Sequence, residues 1–145
     1  MLTTQLLRAW ARCLVSDHDS PAVEVRAVLD PAAVPMVSEE AVEGSDVAVV
    51  MDSLIPLITR RAIDQQAGKL LMLHAAAVAD VESGATAVLL GPSGAGKTTL
   101  AATLGRRFGY LTDETAAIDD DLQVLPFPKP LSVLPASGAR VKAQV

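Results

Sequence analysis

Lys97 and Thr98 follow directly on a glycine-rich run, G-P-S-G-A-G over residues 91–96. An ammonium and a hydroxyl side by side at the end of such a run are the groups that hold a polyphosphate and its metal ion. Gly91, Gly96, Lys97 and Thr98 satisfy G-x-x-x-x-G-K-[ST], the P-loop pattern. Glycines let backbone N–H groups approach phosphate oxygens with no Cβ in the way, and a helix starting at the loop points its positive dipole end at the anion. Lys97 is expected at the β- and γ-phosphates of ATP, and the Thr98 hydroxyl on Mg²⁺, a hard cation that keeps waters and takes few protein ligands. The expected nucleotide-binding set is Gly91, Pro92, Ser93, Gly94, Ala95, Gly96, Lys97, Thr98 and Thr99. With glycine near 7% of average usage, these four positions match by accident in about one chain of this length in two hundred. The flanks therefore decide between a P-loop and an ordinary glycine-rich connection. They supply what the motif requires: an apolar strand at Val88, Leu89 and Leu90, and an alanine-rich helical pattern after Lys97.

Transfer of a phosphoryl group also needs a base to align an acceptor hydroxyl or water. The sequence offers Asp113, Glu114 and His74. The strand carrying Asp113 follows the P-loop helix, so in a βαβ crossover it runs parallel to the P-loop strand. Its acid then sits at the carboxyl edge of the sheet, where open α/β folds bind ligands. His74 lies in the strand before the P-loop strand. By spacing alone, a lone histidine in an apolar run is more often a core residue than a catalytic group.

The elements around this centre follow from periodicity. Leu2, Leu6, Trp10, Cys13 and Leu14 recur at helical spacing and predict a first helix packed on the body, with a Trp-anchored partner-binding helix as the alternative. Asp17–Pro21 reads as a turn, and residues 22–30 alternate as a half-buried strand. Residues 46–51, DVAVVM, read as a short apolar strand closed by Asp52; upstream of the P-loop, it is a poor Walker B segment. Asp52 or Ser53 is expected to cap the next helix, with Pro56 in its first turn and Gly68 at its end. Residues 69–79 read as one strand interrupted by His74, and Ser83-Gly84 as the turn into the P-loop strand. The P-loop helix is expected to end near Arg107, with Gly109 as its terminal glycine. Residues 115–127 read as a hairpin with Asp119, Asp120 and Asp121 at a solvated tip, since no EF-hand spacing follows. Prolines 126, 128, 130 and 135 exclude regular central structure beyond it, and residues 136–145 read as a loose tail. The fold class expected is α/β, a P-loop NTPase-like mixed sheet flanked by helices. One domain of 145 residues is expected, with 1–68 carrying no motif, 69–134 the P-loop core and 135–145 a tail.

Composition bounds the alternatives. Half of the residues are hydrophobic but only four are aromatic, so the core must be aliphatic. A formal net charge of −5 argues against nucleic-acid or anionic-membrane partners, which need clustered Lys and Arg. The doublets Arg60-Arg61 and Arg106-Arg107 read as solvated helix faces. One cysteine, Cys13, excludes a disulfide framework within the chain and suggests a cytoplasmic setting. No apolar run reaches membrane-spanning length, and the start lacks the continuous apolar core of a signal peptide.

Four segments, LLMLHAAAVAD, LLGPSGAGKTTLAATL, GYLTDETAAI and VLPFPKPLSV, resemble bacterial HPr kinase/phosphorylase-type proteins over about residues 69–134. The likeness is greatest to the shorter HPr-kinase-like ATP-binding proteins often encoded near peptide-modification genes. The resemblance implies a fold like the HPr kinase C-terminal domain, with His74 in the active site, Lys97 on phosphate and Thr98 on Mg²⁺. It also implies Asp113 as the base that activates an acceptor serine and as the acid in the reverse phosphorolysis. Asp113 and Glu114 would assist the metal, Glu114 standing where the family commonly has a second aspartate. The family's later glycine-rich signature, with its metal-binding glutamate and catalytic arginine, is not recognisable here, and Arg140 is not assigned that arginine's role. Two functions are therefore expected in competition: an ATP-dependent protein-serine phosphotransferase, and a non-catalytic or truncated nucleotide-binding module assisting a peptide-modification or regulatory enzyme. ATP or pyrophosphate as donor, and a homo-oligomer completing a short sheet, stay open.

Overall fold

The computed structural model describes residues 1–14, 23–133 and 143–144. Among these, α-helices and small β-sheets alternate in an α/β arrangement. The chain divides into two compact units, Met1–Gln65 and Gln66–Val145. None of the described helices is long and apolar enough to cross a membrane. The expected turn at Asp17–Pro21 lies outside the described residues.

In the first unit, helix α1 (Leu2–Ala9) places Leu2 and Leu6 on a core of Val42, Val50, Leu54 and Leu57. The predicted stripe goes no further, because a 3-10 turn at Ala11–Cys13 follows the helix and leaves Leu14 exposed. Burial pushes the Cys13 thiol pKa up, which makes it a poorer nucleophile. Strands β1 (Arg26–Leu29) and β3 (Ala41–Gly44) pair in parallel, and β2 (Met36–Val37) adds antiparallel to β3.

Residues 46–51 are not a strand. They open helix α2 (Val47–Gln66), which Asp46 caps, its Oδ1 accepting from Ala48 N at 2.7 Å. A short apolar run does not by itself distinguish strand from buried helix. Here Val50, Met51, Leu54 and Leu57 continue it at helical spacing, and burial of that face favours the helix. Pro56 consequently lies in the helix interior rather than its first turn. It is tolerated on an exposed face, where water can reach the Asp52 carbonyl that lacks a donor. Gly68, at φ +77°, follows the helix end as expected.

In the second unit, the expected single strand at 69–79 is two, β4 (Leu71–Leu73) and β5 (Ala76–Ala79). A bend at His74 sends them into different sheets, and the polar imidazole stays exposed at the bend. Strand β5 pairs antiparallel with both β6 (Thr86–Leu89) and β7 (Gly109–Thr112) in the order β6-β5-β7. Strands β6 and β7 therefore run in the same direction, as the crossover requires, with β5 between them. The turn at Ser83-Gly84 is held by Asp80 Oδ1, which accepts from Ser83 N and Ser83 Oγ, both at 2.8 Å.

Helix α3 (Lys97–Leu104) stops earlier than expected, at Gly105 rather than near Arg107. A Cβ on Gly105 would lie 2.9 Å from the Ala101 carbonyl oxygen and 3.2 Å from Tyr110 Cβ. The chain turns there in a space only glycine fits, and Gly109 instead begins β7. Arg106 and Arg107 fall in the turn rather than on a helix face. Strands β8 (Ala116–Ile118) and β9 (Val124–Leu125) form the predicted hairpin, with β4 on the other side of β8. Asp119 organises its tip, accepting from Asp121 N at 3.0 Å and Gln123 N at 2.8 Å. The proline-rich segment 126–130 is irregular, as expected, and runs beside β7, Phe127 N donating to Leu111 O at 3.0 Å. Beyond it, β10 (Ser132–Val133) pairs antiparallel with β11 (Ala143–Gln144), so the end of the chain is not wholly a loose tail.

Candidate functional site

The glycine-rich loop leaves β6 after Leu89 and enters α3 at Lys97. Gly94 (φ +82°) and Gly96 (φ +86°) hold left-handed backbone that a Cβ would strain. Ala95 N donates to Pro92 O at 3.2 Å, folding the loop on itself, and Gly96 occupies the helix N-cap. The Lys97 ammonium turns back over the loop and donates to Gly91 O at 2.8 Å and Pro92 O at 3.1 Å. Ser93, Gly94, Ala95, Gly96 and Thr99 are exposed, and Thr98 is half-buried on the first turn of α3. A surface concentrating glycine N–H groups, an ammonium and hydroxyls at a helix start suits an anion with several oxygens.

Sheet register decides what shares this edge. Ala76, the first residue of β5, pairs with Leu89, the last of β6; Ala77 pairs with Thr112, the last of β7. The glycine-rich loop, Asp113 and the bend at His74 thus all emerge at one end of the β6-β5-β7 sheet. The ends of β6 and β7 lie two strand spacings apart, about 10 Å. Ala75 N donates to Glu114 O at 3.1 Å, which ties the chain at His74 to the acid pair.

The acid pair has a partner that sequence reasoning missed. Lys129 is 2% exposed, and its ammonium lies 2.9 Å from Asp113 Oδ1 and 3.1 Å from Glu114 Oε2. It also donates to Pro130 O at 3.4 Å, so its three protons have three acceptors. The Tyr110 hydroxyl lies 3.0 Å from Asp113 Oδ1 and 3.3 Å from Lys129 O. Asp113 itself is 4% exposed. The signal for Lys129 was faint: one lysine among prolines, where a solvated loop is the ordinary reading.

Both carboxylates expected near a metal are thus engaged by an ammonium. Among the described residues no group of three or more His, Cys, Asp or Glu side chains is arranged to hold a metal ion. A donor set of Thr98 with phosphate oxygens and water still fits Mg²⁺, which needs only one or two protein ligands.

The first unit holds an open cavity of about 660 Å³ that no motif marked, lined by Ser38, Asp52, Ser53, Pro56, Arg60 and Asp64 among others. Beside it, Arg61 Nη2 and Nε donate to Glu39 O at 2.6 and 2.8 Å. Comparison with protein-family models, with curated proteins and with solved structures gives no significant match for this chain.

Proposed function

We propose that the chain binds a magnesium nucleotide, ATP, and transfers its γ-phosphoryl group to a serine hydroxyl, on a P-loop NTPase-like sheet of the HPr kinase type it resembles. The observation that carries this reading is the register that brings the glycine-rich loop, Asp113 and the His74 bend to one sheet edge. Gly91 to Gly96 and Thr99 would cradle the phosphates through the loop and first helical turn, with Lys97 exchanging its carbonyl contacts for phosphate oxygens. Thr98 would hold magnesium together with the phosphates, Asp113 and Glu114 adding negative charge nearby; the ion neutralises phosphate charge. Asp113 takes the acceptor's proton, the acceptor oxygen bonds the γ-phosphorus, and the bond to the β,γ-bridging oxygen breaks with its electron pair leaving on ADP. His74, exposed at the same edge, is available to the phosphates or to the acceptor.

The second reading, a nucleotide-binding module without turnover that assists a partner enzyme, is favoured by one feature. Lys129 ties both carboxylates in ion pairs, a use that structure alone would explain. Thermal shift with Mg·ATP tests the part common to both: wild type is stabilised and Lys97→Ala is not. Equal stabilisation of the two proteins would remove the loop from the site. Mass spectrometry of proteins incubated with ATP then separates the readings, because Asp113→Asn should retain binding and lose phosphorylated product.

A further inference from the structure

The two oxygens of the Asp113 carboxylate are in different positions. Oδ1 faces the Lys129 ammonium at 2.9 Å and the Tyr110 hydroxyl at 3.0 Å. Both of these contacts are made to Oδ1 and not to Oδ2. We infer that Lys129 and Tyr110 are positioning residues that clamp Oδ1 so that Oδ2 is presented in one orientation to the hydroxyl it deprotonates.

The inference deepens the phosphotransferase reading and rests on it. A carboxylate on a short side chain rotates freely about its last bond unless one oxygen is pinned, and proton transfer requires an oxygen within hydrogen-bond reach of the acceptor. Pinning by two donors supplies that restraint. The clamp comes from two elements: Tyr110 from β7, and Lys129 from the proline-rich segment that Phe127 N fastens to Leu111 O. Prolines 128 and 130 restrict the backbone on either side of Lys129 and so limit where its long side chain can go. The ammonium is fully matched, its three protons meeting Asp113, Glu114 and Pro130 O, which holds Lys129 in place against Oδ1. In the transfer step the acceptor's proton moves to Oδ2 while Oδ1 keeps both donors.

Four variants test this: Lys129→Met, Lys129→Arg, Tyr110→Phe and Asp113→Asn. Each is measured for Mg·ATP affinity and for phosphoryl transfer to a degenerate serine-centred peptide pool, with phosphate released to water counted alongside. The expected result is an Mg·ATP Kd unchanged within about twofold in the Lys129 and Tyr110 variants, with kcat reduced about tenfold or more in Lys129→Met and less in Tyr110→Phe, KM for the peptide pool unchanged, partial rescue in Lys129→Arg, and product lost in Asp113→Asn. A purely structural Lys129 would lower the amount of folded protein without splitting kcat from KM. Should Lys129→Met fail to fold, Tyr110→Phe decides, since it removes one donor from Oδ1 without changing charge. Turnover in Tyr110→Phe or a folded Lys129→Met equal to wild type, with binding intact, overturns the clamp. Failure of the underlying reading looks different: wild type does not bind Mg·ATP, or binds it and transfers to neither peptide nor water, or Asp113→Asn turns over normally.

Discussion

Asp113 and Lys129 show how much one buried pair asks of its neighbours. With side chains 3% and 1% exposed, both charges have left water, a cost that their mutual contact and the surrounding hydrogen bonds must offset. Removing Lys129 alone would strand the carboxylate at a cost of about 3–5 kcal/mol, whereas changing both partners together costs far less. Asp80 is the opposite case, a carboxylate at the surface. Hydrogen bonds from the Ser83 backbone, the Ser83 hydroxyl and the Glu82 backbone hold its pKa below the ordinary value. A folded-state pKa below the unfolded one means that the stabilisation is present above the unfolded pKa and lost as pH falls through the folded value. Urea denaturation from about pH 5 down to about pH 2 should therefore show a loss of stability in wild type that is smaller in Asp80→Ala. Parallel pH dependence of the two would mean that the turn before β6 gains nothing from the carboxylate.

At the scale of elements, the β8–β9 hairpin carries a local conflict. Leu122 has φ +61°, the one left-handed non-glycine residue among those described, and its side chain is 81% exposed. An L-residue with a bulky side chain is penalised there by about 1–2 kcal/mol, and asparagine by less. Leu122→Asn should raise the melting temperature by about 3 °C, measured by circular dichroism, because it relieves strain and gives up no buried contact. An unchanged or lower melting temperature would show that the leucine makes up for its backbone elsewhere. Helix α2 and the β4–β5 pair carry the lesson for reading sequence. DVAVVM and KLLMLHAAAVA are both apolar runs without strict alternation, and such runs are compatible with more than one structure. The first became helix because Asp46 caps it and its apolar residues recur at helical spacing through Leu57. The second broke at His74 because its two halves pair with different neighbours, β8 on one side and β6 with β7 on the other.

For the whole molecule, the two compact units carry one spectroscopic reporter each: Trp10 in the first and Tyr110 in the second, the single tryptophan and tyrosine of the chain. A ligand that binds the folded second unit stabilises it by about 2.7 kcal/mol at a hundred times its Kd. Mg·ATP at that excess should therefore move the denaturation transition reported by Tyr110, and should leave it in place in Lys97→Ala. A tyrosine signal unmoved by Mg·ATP in wild type would separate nucleotide binding from this unit.

Sequence by itself determined the glycine-rich loop, the helix after it and the acid that ends the next strand. Each rests on local chemistry: glycine's access to left-handed backbone, alanine's helix propensity, an apolar run closed by a charge. Tertiary structure decided what no local pattern encodes, namely which strands are neighbours, that β5 lies between β6 and β7, and that a lysine far along the chain from Asp113 ends beside it. Pairing and ion contacts join residues distant in sequence. They are selected by burial and register, which exist only once the chain has closed on itself.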